Sequence, residues 1–226
     1  MKQLFTLLLL LVVNLTTGAQ KQSKLSATAR QLEHQGYVNV LDADPSIQVS
    51  LMYARADNFC GEILYGDLRE AYLHPEATEA LKKAQQYLKK HHPELSLKVY
   101  DASRPMSIQQ KMWDKVKDTD HSFYVSNPAN GGGLHNYGLA VDITLCRENG
   151  DTLDMGTKVD HMSNLSHIDH EDLLVKQKKI SPQAKANREI LREAMAAGGF
   201  KPLRTEWWHF NLRTRAEAKQ RYKVIK

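Results

Sequence analysis

Residues 132–142 read Gly-Gly-Leu-His-Asn-Tyr-Gly-Leu-Ala-Val-Asp, and residues 206–209 read Glu-Trp-Trp-His. In the first stretch a histidine leaves a glycine-rich loop, and an aspartate follows seven residues later inside an alternating segment typical of a strand. The second stretch adds another imidazole with a glutamate beside it. Together the two stretches supply two histidines and two carboxylates, which are the residue types of metal and acid–base chemistry.

These side chains match the ligand requirement of a catalytic zinc ion, which needs three N or O ligands and an open position for water. His135, Asp142 and His209 supply such a set for one Zn²⁺ per chain, and Glu206 remains to accept a proton from the water. In an extended strand, residues 206 and 209 point to opposite faces, so Glu206 is expected beside the metal rather than as a fourth ligand. The alternative is that the histidines are ordinary packed or surface side chains. The His-Glu-x-x-His motif of helix-borne zinc proteases does not occur.

Working outward, the chain mixes predicted helices and short strands without a strict strand–helix–strand rhythm. This order predicts the α+β class, as a single domain with a central antiparallel sheet flanked by helices. Residues 118–134, which hold an Asn-Pro pair and three glycines, are predicted to form a loop. The predicted helices cover 25–36, a segment that opens at 74–76, 105–117 and 182–197, and the predicted strands cover 38–41, 47–52, 95–100, 139–145 and 207–212.

The N-terminus has the pattern of a secretory signal peptide. Lys2 precedes an apolar run over residues 4–13, and small residues end at Ala19, where cleavage is expected. The run is about half of the ~20 apolar residues that a spanning helix needs, so no stable membrane insertion is expected once residues 1–19 are removed. The remaining chain, 20–226, is expected to form one exported domain, periplasmic or secreted.

The overall composition excludes several classes of protein. Of the 226 residues, 42% are hydrophobic and 25% are charged, fractions that are usual for soluble globular proteins. The net charge of +5 is spread along the chain, whereas nucleic-acid binders concentrate their positive charge on one stripe, so no nucleic-acid partner is expected. Two cysteines, Cys60 and Cys146, are too few for a disulfide scaffold. They leave open either one disulfide or two separate thiols.

The two motifs resemble those of the VanX-type D-alanyl-D-alanine dipeptidases. These enzymes belong to a zinc peptidase superfamily that also holds the D-alanyl-D-alanine carboxypeptidases and the hedgehog fold. The likeness rests on His-x-x-Gly-x-Ala-x-Asp over 135–142 and on Glu-Trp-Trp-His over 206–209. Further stretches match in family order, namely Tyr-Ala-Arg-Ala-Asp-Asn-Phe at 53–59, Asp-Ala-Ser-Arg-Pro at 101–105, Met-Gly-Thr-Lys-Val-Asp at 155–160 and Ser-His at 166–167.

The resemblance implies zinc-dependent hydrolysis of a small peptide, D-alanyl-D-alanine, in cell-wall peptidoglycan metabolism. The preference for D-residues comes only from the resemblance. It also implies a role for each matching residue. His135, Asp142 and His209 match the zinc ligands, Glu206 the catalytic base, Arg104 the residue that stabilises the oxyanion, and Tyr53 and Asp160 the residues that hold the substrate's free amine.

One departure from the family pattern keeps other functions open. The family usually has a serine two residues before the first zinc histidine, and this chain has Gly133 there, so a hydroxyl is lost from amine recognition. The alternatives are a D,D-carboxypeptidase or endopeptidase on longer murein peptides, a non-catalytic zinc-bearing binding module, and a metal-free murein-binding protein. Glu206 and Arg104 argue against a pure binder, while Tyr53 and Asp160 argue against longer peptides.

Overall fold

A computed structural model describes residues 25–226, so the signal peptide predicted for residues 1–19 lies outside the described residues. Short 3-10 turns occur at Met52–Ala54, Asp120–Phe123, Pro128–Asn130, Leu134–Tyr137 and Asn164–Ser166. The longer elements, in chain order, are α1 (Ala27–His34), β1 (Val38–Asn39), α2 (Val40–Ala43), β2 (Gln48–Val49), β3 (Tyr72–Leu73), α3 (Pro75–His91), β4 (Leu95–Asp101), α4 (Met106–Val116), β5 (Ala140–Arg147), α5 (Glu171–Lys176), α6 (Pro182–Ala197), β6 (Lys201–Leu203), β7 (Glu206–Asn211) and α7 (Arg215–Arg221).

The centre of the fold is a five-stranded sheet in the order β2-β4-β5-β7-β6. The strands β4, β5, β7 and β6 pair antiparallel, and the two-residue strand β2 pairs parallel to β4 at one edge. β1 and β3 form a separate antiparallel pair. The predicted α+β class, a mainly antiparallel sheet flanked by helices, is confirmed. The parallel edge strand and the small second sheet were not predicted.

The middle strand, β5, is enclosed by the rest of the fold. Its residues 140–146 are all buried, which means that both faces of the strand are covered. Helix α3 packs against β4 and against α6. At Gly198 the two helices are so close that a Cβ would collide with the carbonyl oxygen of Ala80. Side chains carried by β5 are therefore held by dense packing on every side.

The long helices begin and end as their capping signals predict. Pro75 is the first residue of α3, and the ring of His74 accepts a hydrogen bond from the Glu76 N–H at 3.4 Å. At the start of α6, Ser181 Oγ accepts a hydrogen bond from the Ala184 N–H at 2.9 Å. The helix then ends directly before Gly198. Helix α4 is one residue shorter at each end than predicted.

Two of the predicted strands are largely wrong. The segment 38–41 is extended only as far as Asn39, whose side chain accepts a hydrogen bond from the Leu41 N–H at 3.0 Å and so caps the short helix α2. The segment 47–52 is a strand only at Gln48–Val49, and a 3-10 turn begins at Met52. Over four to six residues, alternation does not distinguish a strand from a capped turn.

Two further features bear on expectations from the sequence. Cys60 is half-buried and Cys146 is buried, and both are unpaired, so of the two open alternatives the structure contains separate thiols. Within residues 25–226, no helix combines the length and the apolar character needed to cross a bilayer.

Candidate metal centre

Strand register brings two of the predicted metal ligands together. Asp142 on β5 lies directly opposite His209 on β7, and directly paired residues project to the same face of a sheet. His135 lies in the 3-10 turn that precedes β5. Gly138 ends that turn with a φ of +65°, and a Cβ there would lie 2.9 Å from a backbone nitrogen across the fold, so the turn requires glycine. This tight turn places His135 next to Asp142.

His135, Asp142 and His209, hereafter the triad, direct their ligand atoms at one point. Nε2 of His135 lies 3.3 Å from Nδ1 of His209. Oδ1 of Asp142 lies 3.0 Å from Nδ1 of His209, and Oδ2 lies 3.3 Å from Nε2 of His135. Tetrahedral zinc with bonds of about 2.0–2.1 Å separates neighbouring ligand atoms by about 3.3 Å. The spacing of the triad therefore fits a single zinc ion.

The outer nitrogens of both rings support the same interpretation. Nδ1 of His135 donates to the Ala102 carbonyl oxygen at 2.7 Å, and Nε2 of His209 donates to Asn211 Oδ1 at 2.9 Å. These partners assign the ring protons to the outer nitrogens, so the inner nitrogens face each other as lone pairs. Two such nitrogens and a carboxylate this close together are a donor set suited to a cation. The triad could therefore hold a divalent metal ion, with Ala102 and Asn211 orienting its rings.

Glu206 lies beside the triad, with its Oε2 atom 4.0 Å from Nδ1 of His209. The pairing of β6 with β7 shifts register at residues 202–203, so residues 207–209 form a bulge. Because of the bulge, Glu206 and His209 line the same cavity, although a regular strand would point them to opposite faces. The predicted position next to the metal is thus compatible with the structure. Burial raises the pKa of Glu206 to about 8.

The guanidinium of Arg104 is buried and fixed at the edge of the triad. Arg104 donates from Nε at 2.9 Å and from Nη2 at 2.5 Å to Oδ2 of Asp101. It also donates from Nη1 to Oε1 of Gln109 at 2.9 Å. Nη2 then lies 3.6 Å from Oδ2 of Asp142. Sequence reasoning missed Asp101 and Gln109 as residues that orient Arg104. The available signal was the carboxylate three residues before the arginine.

Tyr53 and Asp160 form a second polar group in the wall of the cavity. The Tyr53 hydroxyl donates to Asp160 Oδ2 at 2.7 Å. Asp160 has a φ of +63°, a left-handed conformation that non-glycine residues rarely adopt. Removal from water, together with the nearby negative charge of Asp142, raises the pKa of Asp160 to about 7. A positively charged ligand group would be the natural partner of this carboxylate.

One cavity, of about 320 Å³, collects every residue predicted for the site. Gly133 also lines it, and a Cβ at that position would lie 2.9 Å from the hydroxyl oxygen of Ser126. Ser126 was not singled out from the sequence, because its neighbourhood depends on how the loop folds. The predicted residues in the cavity wall are Tyr53, Arg104, His135, Asp142, Asp160, Glu206 and His209.

Comparison with known proteins gives consistent matches. Residues 33–226 match the model of peptidase family M15, described as D-Ala-D-Ala dipeptidase. The chain is 36% identical over 168 residues to a D-alanyl-D-alanine dipeptidase of Escherichia coli (strain K12), across 74% of this chain and 80% of that protein. A D-alanyl-D-alanine dipeptidase of Synechocystis is 28% identical over 148 residues, across 53% of this chain and 60% of that protein. One of Enterococcus faecium is 38% identical over 80 residues, across 35% and 36% respectively.

Proposed function

Because the chain belongs to the D-Ala-D-Ala dipeptidase family of peptidases, we propose that it hydrolyses D-alanyl-D-alanine to D-alanine with one zinc ion held by the triad. The reaction would serve the turnover of cell-wall peptides. One observation carries the proposal: two ring nitrogens and a carboxylate face one point, 3.0–3.3 Å apart, beside the buried Glu206. This arrangement suits a hydrolytic metal site better than a structural one, since three protein ligands leave a position open.

His135, Asp142 and His209 would hold the zinc ion in this proposal. A zinc ion bound there would lower the pKa of a water ligand to about 7 and polarise the substrate carbonyl. The hydrogen bonds from the two rings to Ala102 and Asn211 keep the coordinating nitrogens unprotonated and aimed at the ion.

Glu206 would act as the general base and then as the general acid. Its carboxylate stands next to the triad, 4.0 Å from His209 Nδ1, and therefore within reach of a water near the metal. It would accept a proton from the attacking water and donate it to the amine that leaves when the peptide bond breaks. A cation nearby favours the ionised carboxylate, which offsets the raised pKa that burial produces.

Arg104 would stabilise the negative charge that develops on the former carbonyl oxygen. Its guanidinium remains charged at all relevant pH values, and Asp101 with Gln109 fixes its orientation before substrate arrives. A donor arranged in advance is worth more than one that must reorient during the reaction, about 3–4 kcal/mol of the barrier in comparable sites.

Tyr53 and Asp160 would hold the free amine of the dipeptide. The hydroxyl of Tyr53 orients the Asp160 carboxylate, and this negative group would pair with the substrate ammonium. Such a pair favours a dipeptide over a longer chain, because a longer chain has no ammonium next to its scissile bond.

We also propose that residues 1–19 are a signal peptide and that residues 20–226 form one exported dipeptidase domain, periplasmic or secreted. The basic residue, the apolar run and the small-residue end of the first segment support export. The family match begins at residue 33, after this segment. N-terminal sequencing of the chain recovered outside the cytoplasm should begin at Gln20.

The substrate proposal is tested by hydrolysis of three peptides, each with and without a chelator. We expect chelator-sensitive hydrolysis of D-alanyl-D-alanine to D-alanine, and no hydrolysis of L-alanyl-L-alanine or of N-acetyl-D-alanyl-D-alanine. Cleavage of the acetylated peptide would show that Asp160 does not select a free amine, and would favour a carboxypeptidase. Zinc binding without cleavage of any peptide would favour the binding module.

A further inference from the structure

Three arginines line the cavity, and they differ in how their charges are balanced. Arg104 is paired with Asp101. Arg213 is paired with Glu76, with Nη2 and Oε2 2.5 Å apart. Arg215 has no acidic partner among residues 25–226, and its Nη2 donates only to backbone carbonyls, of Gly132 at 2.5 Å and of Asn130 at 3.5 Å. Arg215 is therefore the arginine of this cavity whose charge the protein does not neutralise.

A free hydroxyl lies next to the same loop. Ser126 lines the cavity, and within residues 25–226 its hydrogen bond is made by the main-chain carbonyl and not by Oγ. Its carbonyl oxygen accepts a hydrogen bond from Gln109 Nε2 at 2.8 Å, which fixes the backbone here. The Oγ atom occupies the space that a side chain on residue 133 would need, 2.9 Å from the ideal Cβ position. The hydroxyl thus stands at Gly133, where the family's serine would hold the amine. Here, however, Arg215 binds the adjacent residue, Gly132, and its positive charge suits this position to a carboxylate instead.

We propose that Arg215 and Ser126, which contact the two neighbouring residues Gly132 and Gly133, form the subsite for the C-terminal carboxylate of the dipeptide. This inference rests on the proposed function, because only a substrate with a free carboxylate needs such a site.

The chemistry of the two side chains matches a carboxylate and excludes an ammonium. A guanidinium offers five N–H donors and accepts nothing. With one nitrogen bound to the Gly132 carbonyl, further donors remain for a ligand, and arginine pairs with carboxylates through such forks. The Ser126 hydroxyl adds one more donor. An ammonium at this position would be repelled by the uncompensated charge of Arg215.

The distribution of charge over the cavity also supports a carboxylate subsite at Arg215. The acidic groups that line it are Asp142, Asp160 and Glu206, whereas Arg213 and Arg215 belong to the segment that follows β7. A dipeptide carries one positive and one negative end. Asp160 attracts the positive end, and Arg215 supplies the opposite charge that the negative end requires. Both ends of the substrate would then be recognised, which limits its length to two residues.

The test compares D-alanyl-D-alanine with its C-terminal amide, which lacks the negative charge. For the acid, we expect Arg215→Ala to raise KM about 10- to 100-fold, the effect of losing a charge-assisted hydrogen bond, and to leave kcat nearly unchanged. For the amide, the same substitution should change little. Ser126→Ala should raise KM for the acid several-fold, with the same selectivity.

Arg221→Ala is the matched control. Arg221 is the last residue of α7, the helix that Arg215 begins, and it is exposed and absent from the cavity wall. Arg221→Ala removes one positive charge from the same helix and should leave KM for both peptides unchanged. Zinc content and thermal unfolding of each variant would show whether the protein remains folded and loaded.

Calorimetric binding of the acid and the amide to the zinc-loaded Glu206→Gln protein separates this inference from the proposed function. If Arg215→Ala in that background weakens binding of the acid alone, the subsite stands even where no hydrolysis is measured. Suppose that the wild type hydrolyses D-alanyl-D-alanine normally, but Arg215→Ala weakens binding of the acid and the amide equally, or weakens neither. That result would overturn the subsite and leave the proposed function intact. A protein that neither binds nor cleaves D-alanyl-D-alanine would overturn both.

Discussion

Asp142 and His209 sit opposite each other on two neighbouring strands of the central sheet, whereas Tyr53 and Asp160 belong to a 3-10 turn and a loop that meet across the cavity. The first pair is fixed by main-chain pairing within a buried sheet. The second is joined by a hydrogen bond between segments that are 107 residues apart in the chain. In the proposed function, the reaction chemistry would thus rest on paired strands, and substrate selection on connecting segments, which can vary without disturbing the sheet.

Ser126 and Arg215 resemble the second region rather than the first. Ser126 lies in the connection between α4 and β5, and Arg215 begins a short helix after the last strand. With Tyr53 and Asp160 they make up what we call the rim. If the comparison is right, substitutions near the triad should abolish turnover of every substrate. Substitutions in the rim should change which substrate is accepted and leave the metal in place.

The largest effect is expected for Glu206→Gln. The amide has the same shape but cannot accept the proton from water, so kcat/KM should fall about 10³-fold. Zinc content should stay near one ion per chain, because the triad is unchanged. Steady-state kinetics and metal analysis on the same sample would measure both quantities. Glu193→Gln, at an exposed position on α6, should have no effect. Activity within a few-fold of the wild type would show that another group is the base.

A smaller and pH-dependent effect is expected for Asp160. In the proposed function, the substrate ammonium would pair with the ionised carboxylate, and the pKa of Asp160 is raised to about 7 in the free protein. As the pH falls, Asp160 becomes protonated and KM should therefore rise. The rise should begin at or below pH 7, because a bound cation shifts the pKa of this carboxyl group downward. Asp160→Asn should raise KM about 10- to 100-fold at pH 8 and lose this dependence.

Initial rates between pH 5 and 9, for the wild type and for both Asp160→Asn and the exposed control Asp118→Asn, would decide the point. An Asp160→Asn protein that keeps a normal KM would mean that the amine binds elsewhere. The same result would remove the main difference between the rim and the triad.

The smallest effect is expected at Gly133. The Cβ of a serine there would lie 2.9 Å from Ser126 Oγ, so Gly133→Ser should displace the Ser126 hydroxyl and lower kcat/KM several-fold, as the loss of one hydrogen bond to the substrate does. Adding Ser126→Gly should restore most of the activity, because one hydroxyl then replaces the other in the same space. A double-mutant cycle measures this coupling. Additive losses would show that the two positions act independently.

The placement of the triad side chains close together can largely be predicted from the sequence. The loop-to-strand motif is local, so the positions of His135 and Asp142 follow from eight consecutive residues and the alternation of β5. His209 is predicted by its own motif and by the strand that carries it. The bulge in β7 cannot be predicted from a local pattern, because it depends on the pairing of β7 with β6. The bulge brings Glu206 to the same side as His209.

The rim is less predictable for a related reason. The resemblance to a known family pointed to Tyr53 and Asp160, but Ser126 and Arg215 belong to no motif, and their contacts with the Gly132–Gly133 loop form only when the chain folds. Asp101 could have been assigned a role, because it stands three residues before the arginine that it orients. Long-range contacts between connecting segments are the part of a site that spacing alone does not give.

The central claim, that the triad holds the catalytic metal, is tested most directly by anomalous X-ray scattering at the zinc edge from crystals of the zinc-loaded protein. We predict one peak, about 2.0–2.2 Å from Nε2 of His135, a carboxylate oxygen of Asp142 and Nδ1 of His209. A zinc peak elsewhere in the cavity, or its absence from the triad in an active preparation, would contradict the account.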